Sequence, residues 1–144
     1  MLKGISKIVS PELLKILCEM GHGDEIVIAD WNFPSATMGK RLIRADGIGG
    51  REMLSAVMDL IPLDTYGEDN FVLMHLAGKD TEIPVIWEDY RKIAAEKDDN
   101  VMESQIERFA FYERAKNAYA VISTGETSLY ACVILKKGVF KELV

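Results

Sequence analysis

Only two cysteines, Cys18 and Cys132, occur in 144 residues, and they stand far apart. Neither has a second cysteine or a histidine at ligand spacing, which argues against a zinc site. A lone long-range disulfide is the weaker reading. Cys18 falls in a helical pattern and Cys132 in a strand pattern, and buried free thiols are common. Long runs of Lys or Arg are missing and the net charge is −6. A nucleic-acid footprint is therefore not evident, and an anionic membrane is repelled on average. No run of about 18 apolar residues exists, so no membrane-spanning helix is expected. The first eight residues lack the continuous apolar core of a secretory signal, which makes the cytoplasm the expected compartment. The Walker loop, the dinucleotide fingerprint and the nucleophile elbow are all missing. Ala45-Asp46-Gly47-Ile48-Gly49-Gly50 is glycine-rich without the spacing that cradles a phosphate, and it reads as a turn. These absences leave acid/base catalysis without a cofactor, or simple binding.

What is present is ample apolar material. Apolar residues make up 49% of the chain, enough for one domain over residues 1–144 to bury a core without disulfides or metals. Ser10-Pro11-Glu12 is a good helix start, with Leu13, Leu14, Leu17 and Cys18 at helical spacing and Gly21 as the stop. Residues 25–29 predict a strand apolar on both faces, as under helices on both sides. A loop follows at 32–35. Further strands are predicted at 42–45, 71–76, 119–123 and 129–135. Helices are predicted at 52–60, 84–97 and 111–118, the last with Tyr112 paired to Lys116 and Glu113 to Asn117. Residues 106–109 are ambiguous. The alternation of strands and helices argues an α/β fold with a largely covered sheet.

Candidate chemistry begins at Met20-Gly21-His22-Gly23-Asp24-Glu25. Glycines on both sides let an imidazole sit on a tight turn. Its ordinary pKa lies nearest neutrality, and a helix C-terminus before it favours the imidazolium. A hydrogen bond to the last helical carbonyls is an equally good reading of the same residue. Asp30 ends an apolar strand, where ligands of open α/β sheets gather. It can accept two hydroxyl hydrogen bonds from a polyol or orient a histidine, or simply bond its own loop. Asp46 has the same placement and ranks below it. Tyr130 alternates with Cys132 and Ile134 on one strand face, so core packing is the plain reading of all three, and its phenol needs a partner if buried. Arg108 alone reads as a surface cation. Tyr112, Tyr119, Phe109 and Phe111 read as core, and His75 as a core or edge histidine.

At these residues the chain resembles the ribose pyranase / fucose mutarotase family, in its L-fucose mutarotase branch. The likeness rests on Ser10-Pro11-Glu12-Leu13-Leu14-Lys15, on residues 20–30 continuing into Asn32-Phe33-Pro34, and on Ile43-Arg44-Ala45-Asp46-Gly47. Ile106-Glu107-Arg108-Phe109-Ala110-Phe111-Tyr112-Glu113-Arg114-Ala115-Lys116 carries it further, with Thr124-Gly125-Glu126 and Leu135-Lys136-Lys137-Gly138 after it. Residues 65–100 are the least similar. The resemblance implies a three-layer α/β/α domain with a mixed sheet, a ring-shaped homo-oligomer (typically a decamer) and cofactor-free isomerisation of a monosaccharide. It places the catalytic histidine on His22 and the sugar-binding aspartate and arginine on Asp30 and Arg108. Tyr130 is implied as a second catalytic group, with Ala131 and Cys132 beside it at the sugar. The family usually has asparagine where this chain has Cys132, so one amide contact to the sugar is lacking. A D-ribose pyranase or a non-catalytic sugar-binding protein on the same fold are the alternatives.

Overall fold

The structure, a computed structural model, describes residues 1–141. Its elements run α1 (Pro11–Glu19), β1 (Glu25–Ala29), α2 (Ser35–Met38), β2 (Leu42–Ala45), α3 (Gly50–Met58), β3 (Phe71–Met74), α4 (Val85–Lys97), β4 (Glu103–Ile106), α5 (Arg108–Asn117), β5 (Ala120–Thr124) and β6 (Val133–Lys136). The strands form one sheet in the order β2-β5-β1-β6-β3-β4. β6 runs antiparallel to both β1 and β3, and the other pairings are parallel. All five remaining strands therefore end at one edge of the sheet, and β6 starts there.

Both faces are covered, as the apolar pattern of β1 requires. Ile26 and Ile28 of β1 join Phe71 and Leu73 of β3 under Leu13 and Leu17 of α1, Met53 and Leu54 of α3, and Trp87 and Tyr90 of α4. Val27, Ala29, Val72, Val121 and Ile134 face the other way, against Phe111 and Ala115 of α5. The α/β/α layering is thus borne out. Among the described residues no helix is long and apolar enough to cross a membrane.

Local chemistry explains the boundaries. Ser10 Oγ accepts the Leu13 N–H at 3.1 Å and opens α1. The helix closes on Met20 in an extended conformation rather than on Gly21; the left-handed residue of this turn is Gly23, at φ +86°. Cys18 is exposed, since Leu13, Ile16 and Leu17 form the buried stripe, and both cysteines are free. A one-turn helix, α2, occupies the start of the expected loop's continuation. α3 begins two residues early at Gly50, whose N–H donates to Glu126 Oε1 at 3.0 Å; a Cβ here would overlap the Tyr90 hydroxyl. β4 escaped the sequence reading because Glu-Ser-Gln-Ile pairs only with β3, at the sheet's edge. α5 starts at Arg108, where the Glu107 carboxylate accepts the Phe109 and Ala110 N–H groups. Lys116 pairs with Glu113, not with Tyr112, and Asn117 Nδ2 donates to the Glu113 carbonyl. His75 is exposed just beyond β3.

Arg114 of α5 locks β1 to the approach of β3. Its guanidinium donates to Glu25 at 2.6–3.1 Å and to Asp69 at 2.6 and 2.9 Å. Hydrogen bonds from Arg114 hold the Asp69 carboxyl down to about 2. A carboxyl lowered by folding stabilises above its unfolded value, near 3.9, and loses that stabilisation as pH falls through its folded value. Arg114→Met is therefore expected to remove about 2 kcal/mol of stability at pH 7. In urea melts the gap between wild type and variant should close as pH drops from about 4 to about 2. A gap that stays constant with pH would assign the loss to packing instead.

Candidate active site

Beyond the carboxyl ends of the parallel strands lies a cavity of about 230 Å³. Asp30 follows β1, Met74 and Ala77 end and follow β3, Arg108 and Tyr112 come from α5, and Tyr130 and Cys132 precede β6. Four of the residues singled out from sequence, Asp30, Arg108, Tyr130 and Cys132, thus meet on one wall system. Asp46 does not; it pairs with Arg44 at the surface. His22 does not either.

Asp30 is 5% exposed. Its Oδ1 accepts the N–H groups of Asn32 and Phe33, both at 3.0 Å, and its Oδ2 accepts the Ala131 N–H at 3.2 Å. A carboxylate offers roughly four lone-pair positions. One position, on Oδ2, stays open for a ligand, against the two anticipated. Burial pushes the Asp30 carboxyl up, opposed by those backbone donors. The Asp30 N–H donates to Cys132 Sγ at 3.3 Å. Burial, reinforced by Asp30, pushes the Cys132 thiol well up, so the sulfur is a neutral wall atom and not a nucleophile. Both polar backbone atoms of Ala131 are engaged, the N–H by Asp30 and the carbonyl by the Tyr90 hydroxyl at 2.9 Å. Ala131 is buried behind the cavity wall.

Tyr130 departs from the strand expected for it. Its φ of +56° is the left-handed region, among the described residues a value no other non-glycine adopts. The alternation argument fails there, yet Tyr130 and Cys132 still reach the same cavity. The Trp87 indole N–H donates to the Tyr130 carbonyl at 2.7 Å. The phenol oxygen accepts the Ala77 N–H at 3.0 Å and donates to Asp80 Oδ2 at 2.5 Å. Arg108 is exposed, with its guanidinium carbon 5.1 Å from the Phe109 ring centre and 5.4 Å from that of Tyr112. Among the described residues it makes no ion pair, so its fork is open to a ligand. Tyr112, read from sequence as core, lines the cavity instead, and Phe33 packs edge-on against it.

His22 sits at the opposite edge, on the turn before β1. The carbonyls ending α1 are taken by Lys137 Nζ, at 2.8 Å from Leu17 O and 2.7 Å from Met20 O, so the imidazole is not their partner. His22 Nε2 lies 2.9 Å from Asp64 Oδ1. The buried Asp64 carboxylate also accepts the N–H groups of Tyr66 and Gly67. Burial raises its carboxyl, but the His22, Tyr66 and Gly67 hydrogen bonds outweigh that and leave it lowered. An ionised carboxylate only accepts, so Nε2 carries the proton and Nδ1 is the free nitrogen. The ring is half exposed, with Tyr66 edge-on at 5.2 Å. Asp64, not Asp30, is the carboxylate that orients the histidine. Nothing local in the sequence marks this long-range pair. Asp64→Asn should release the tautomer: imidazole ¹⁵N shifts are expected to report a single Nε2–H form of neutral His22 in the wild type and a mixture in the variant. A single unchanged tautomer in the variant would remove Asp64 from this role.

The chain as a whole is similar to known proteins. A fucose mutarotase of Mus musculus is 50% identical over 143 residues, covering 95% of this chain and 94% of that protein. An L-fucose mutarotase of Histophilus somni is 45% identical over 140 residues, covering 96% and 97%. The crystal structure of the fucose mutarotase in complex with L-fucose from Streptococcus pneumoniae superposes with a TM-score of 0.91 at 49% identity, covering 96% of this chain and 99% of that one. Residues 3–140, from before α1 to beyond β6, match one family description throughout, and the chain belongs to the RbsD / FucU transport protein family.

Proposed function

We propose that this protein is an isomerase that interconverts the α and β anomers of L-fucose by acid/base opening and reclosure of the pyranose ring. The observation that carries the reading is the convergence of Asp30, Arg108, Tyr130 and Cys132 on one small cavity, in a chain 49% identical to a fucose mutarotase solved with L-fucose. The Arg108 fork suits two neighbouring hydroxyls and the open Oδ2 position of Asp30 suits one more. Phe33 and Met74 give the cavity an apolar side. That suits the methyl group of a 6-deoxy sugar, which D-ribose lacks.

A pyranose is a hemiacetal. Opening it requires a base at the anomeric hydroxyl and an acid at the ring oxygen. Rotation about the bond beside the aldehyde and reclosure give the other anomer. Every step is a proton transfer or a C–O bond change, so no cofactor is called for. Tyr130 serves at the anomeric hydroxyl and the imidazolium of His22, through Nδ1–H, at the ring oxygen. Each such group contributes about 10²–10⁴-fold.

His22 and the cavity lie at opposite ends of β1, a five-residue strand about 17 Å long at ~3.4 Å per residue. On this reading His22 completes the cavity of a second copy. Phe109 and Leu129, 63% and 62% exposed beside the cavity, are the surface such a copy would cover. A contact joining one edge to the opposite edge is heterologous, and such contacts build a ring where the rotation closes and an open filament where it does not. The assembly we propose is the closed form, a ring-shaped homo-oligomer that family resemblance makes a decamer. Two free thiols fit a reducing cytoplasm.

Saturation-transfer NMR on equilibrated L-fucose tests the activity. The enzyme transfers saturation between the α and β signals; a non-catalytic binder only broadens them, and a ribose pyranase acts on D-ribose in preference. His22→Gln is expected to lower exchange by about 10²–10⁴-fold. Mixing His22→Gln with Arg108→Ala subunits, each inactive alone, should restore about a quarter of the sites in a random one-to-one ring. A mixture as inactive as its components would sink the shared site.

A further inference from the structure

The phenol of Tyr130 is a poor base by itself. A neutral phenol that takes a proton from a sugar hydroxyl must hand its own proton to something else. The structure supplies a receiver. The hydroxyl has one proton and two lone pairs. One lone pair accepts the Ala77 N–H at 3.0 Å, and the proton points to Asp80 Oδ2 at 2.5 Å. The alternative acceptor, the Ala77 carbonyl, lies at 3.4 Å. The second lone pair is the one left for a ligand in the cavity, whose wall includes both Tyr130 and Asp80.

The backbone reinforces this arrangement. Tyr130 is held at φ +56° by the Trp87 indole on its carbonyl, by Asp30 on the N–H of that same peptide and by the Tyr90 hydroxyl on the Ala131 carbonyl of the next. A non-glycine residue kept in the left-handed region is strained, and such positions concentrate at functional sites. Asp80 and Ala77 belong to the segment between β3 and α4, so two separate segments meet at one hydroxyl.

We propose that Asp80 is the positioning residue behind Tyr130, the terminal acceptor of a two-step proton relay from the anomeric hydroxyl. This rests on the mutarotase reading. As the ring opens, the anomeric O–H bond breaks and its proton joins Tyr130 Oη. The original Oη proton passes to Asp80 Oδ2, which becomes a neutral acid. The electron pair of the anomeric carbon–ring oxygen bond goes to the ring oxygen, which takes a proton from His22 of a second copy, and the anomeric carbon becomes an aldehyde. Reclosure runs every transfer backwards, so nothing is consumed. The charged groups facing the phenol are Asp80 and Arg108; the hydrogen bond to Asp80 raises the phenol's pKa and Arg108 opposes it.

Asp80→Asn retains an acceptor atom but cannot bind the proton as a carboxylate does. Its kcat for L-fucose anomer exchange is expected to fall by about 10²-fold with KM within about threefold of wild type. Asp80→Glu should recover part of the loss. Tyr130→Phe should lose a similar amount, and the Asp80→Asn/Tyr130→Phe double variant no more than the worse single one. Independently of activity, NMR titration of Cζ-labelled tyrosine should show the Tyr130 phenol titrating lower in Asp80→Asn. An unchanged kcat, a loss confined to KM, single losses that multiply in the double variant, or an unshifted phenol would each overturn the relay. Wild-type protein that exchanges no sugar anomers would overturn the mutarotase reading, and the relay with it. The phenol titration tells these failures apart.

Discussion

The peptide groups of Tyr130 and Ala131 approach the sheet with the Ala131 N–H and carbonyl buried and the Tyr130 carbonyl half-buried. Each carbonyl or N–H left bare there would cost about 1–3 kcal/mol. The fold answers with an indole from α4, a tyrosine hydroxyl one helical turn later and a carboxylate from the end of β1. Trp87, Tyr90 and Asp30 are therefore fixed by a backbone requirement before any ligand is considered. Burial pushes the Tyr90 phenol far up, so it remains a neutral donor. The same three contacts decide where the Tyr130 and Cys132 side chains emerge. The cavity is a by-product of satisfying a buried peptide.

The mixed sheet sets the stage for this. With β6 reversed between β1 and β3, its approach falls at the edge where the parallel strands end. The two edges have different chemical characters. One holds the cavity, with a guanidinium free of ion pairs among the described residues and a desolvated carboxylate. The other is dense in paired charge, with Arg114 between Glu25 and Asp69 and His22 against Asp64.

Legibility in the sequence followed the range of the interaction. β1, β2, α1 and α4 were readable because apolar period and capping residues are local signals. β4 was not, since an edge strand with a polar sequence carries no period to detect. The last strand is shorter than its pattern predicts because Leu129 to Cys132 alternate like a strand, and only distant donors reveal the left-handed turn at Tyr130. At the site, Asp30 was visible as a carboxylate ending an apolar strand, and Arg108 and Cys132 only through resemblance. Asp64 and Asp80 were invisible. Each acts through a partner more than forty positions away, and both sit at or beside the stretch with least family likeness.

The strand at the middle of the sheet is also the last of the described strands to leave the ribosome. Until β6 arrives, β1 and β3 have no shared neighbour, and each presents a row of unpaired N–H and C=O groups flanked by apolar side chains. Open edges of that kind recruit other chains. Parallel pairings between distant segments already slow folding, and here the ladders of β6 close over about a hundred positions to β1 and about sixty to β3. Without β6 the sheet divides into two halves, β2-β5-β1 and β3-β4, with no hydrogen-bond ladder joining them, so the last of the described strands in sequence is the keystone of the whole sheet.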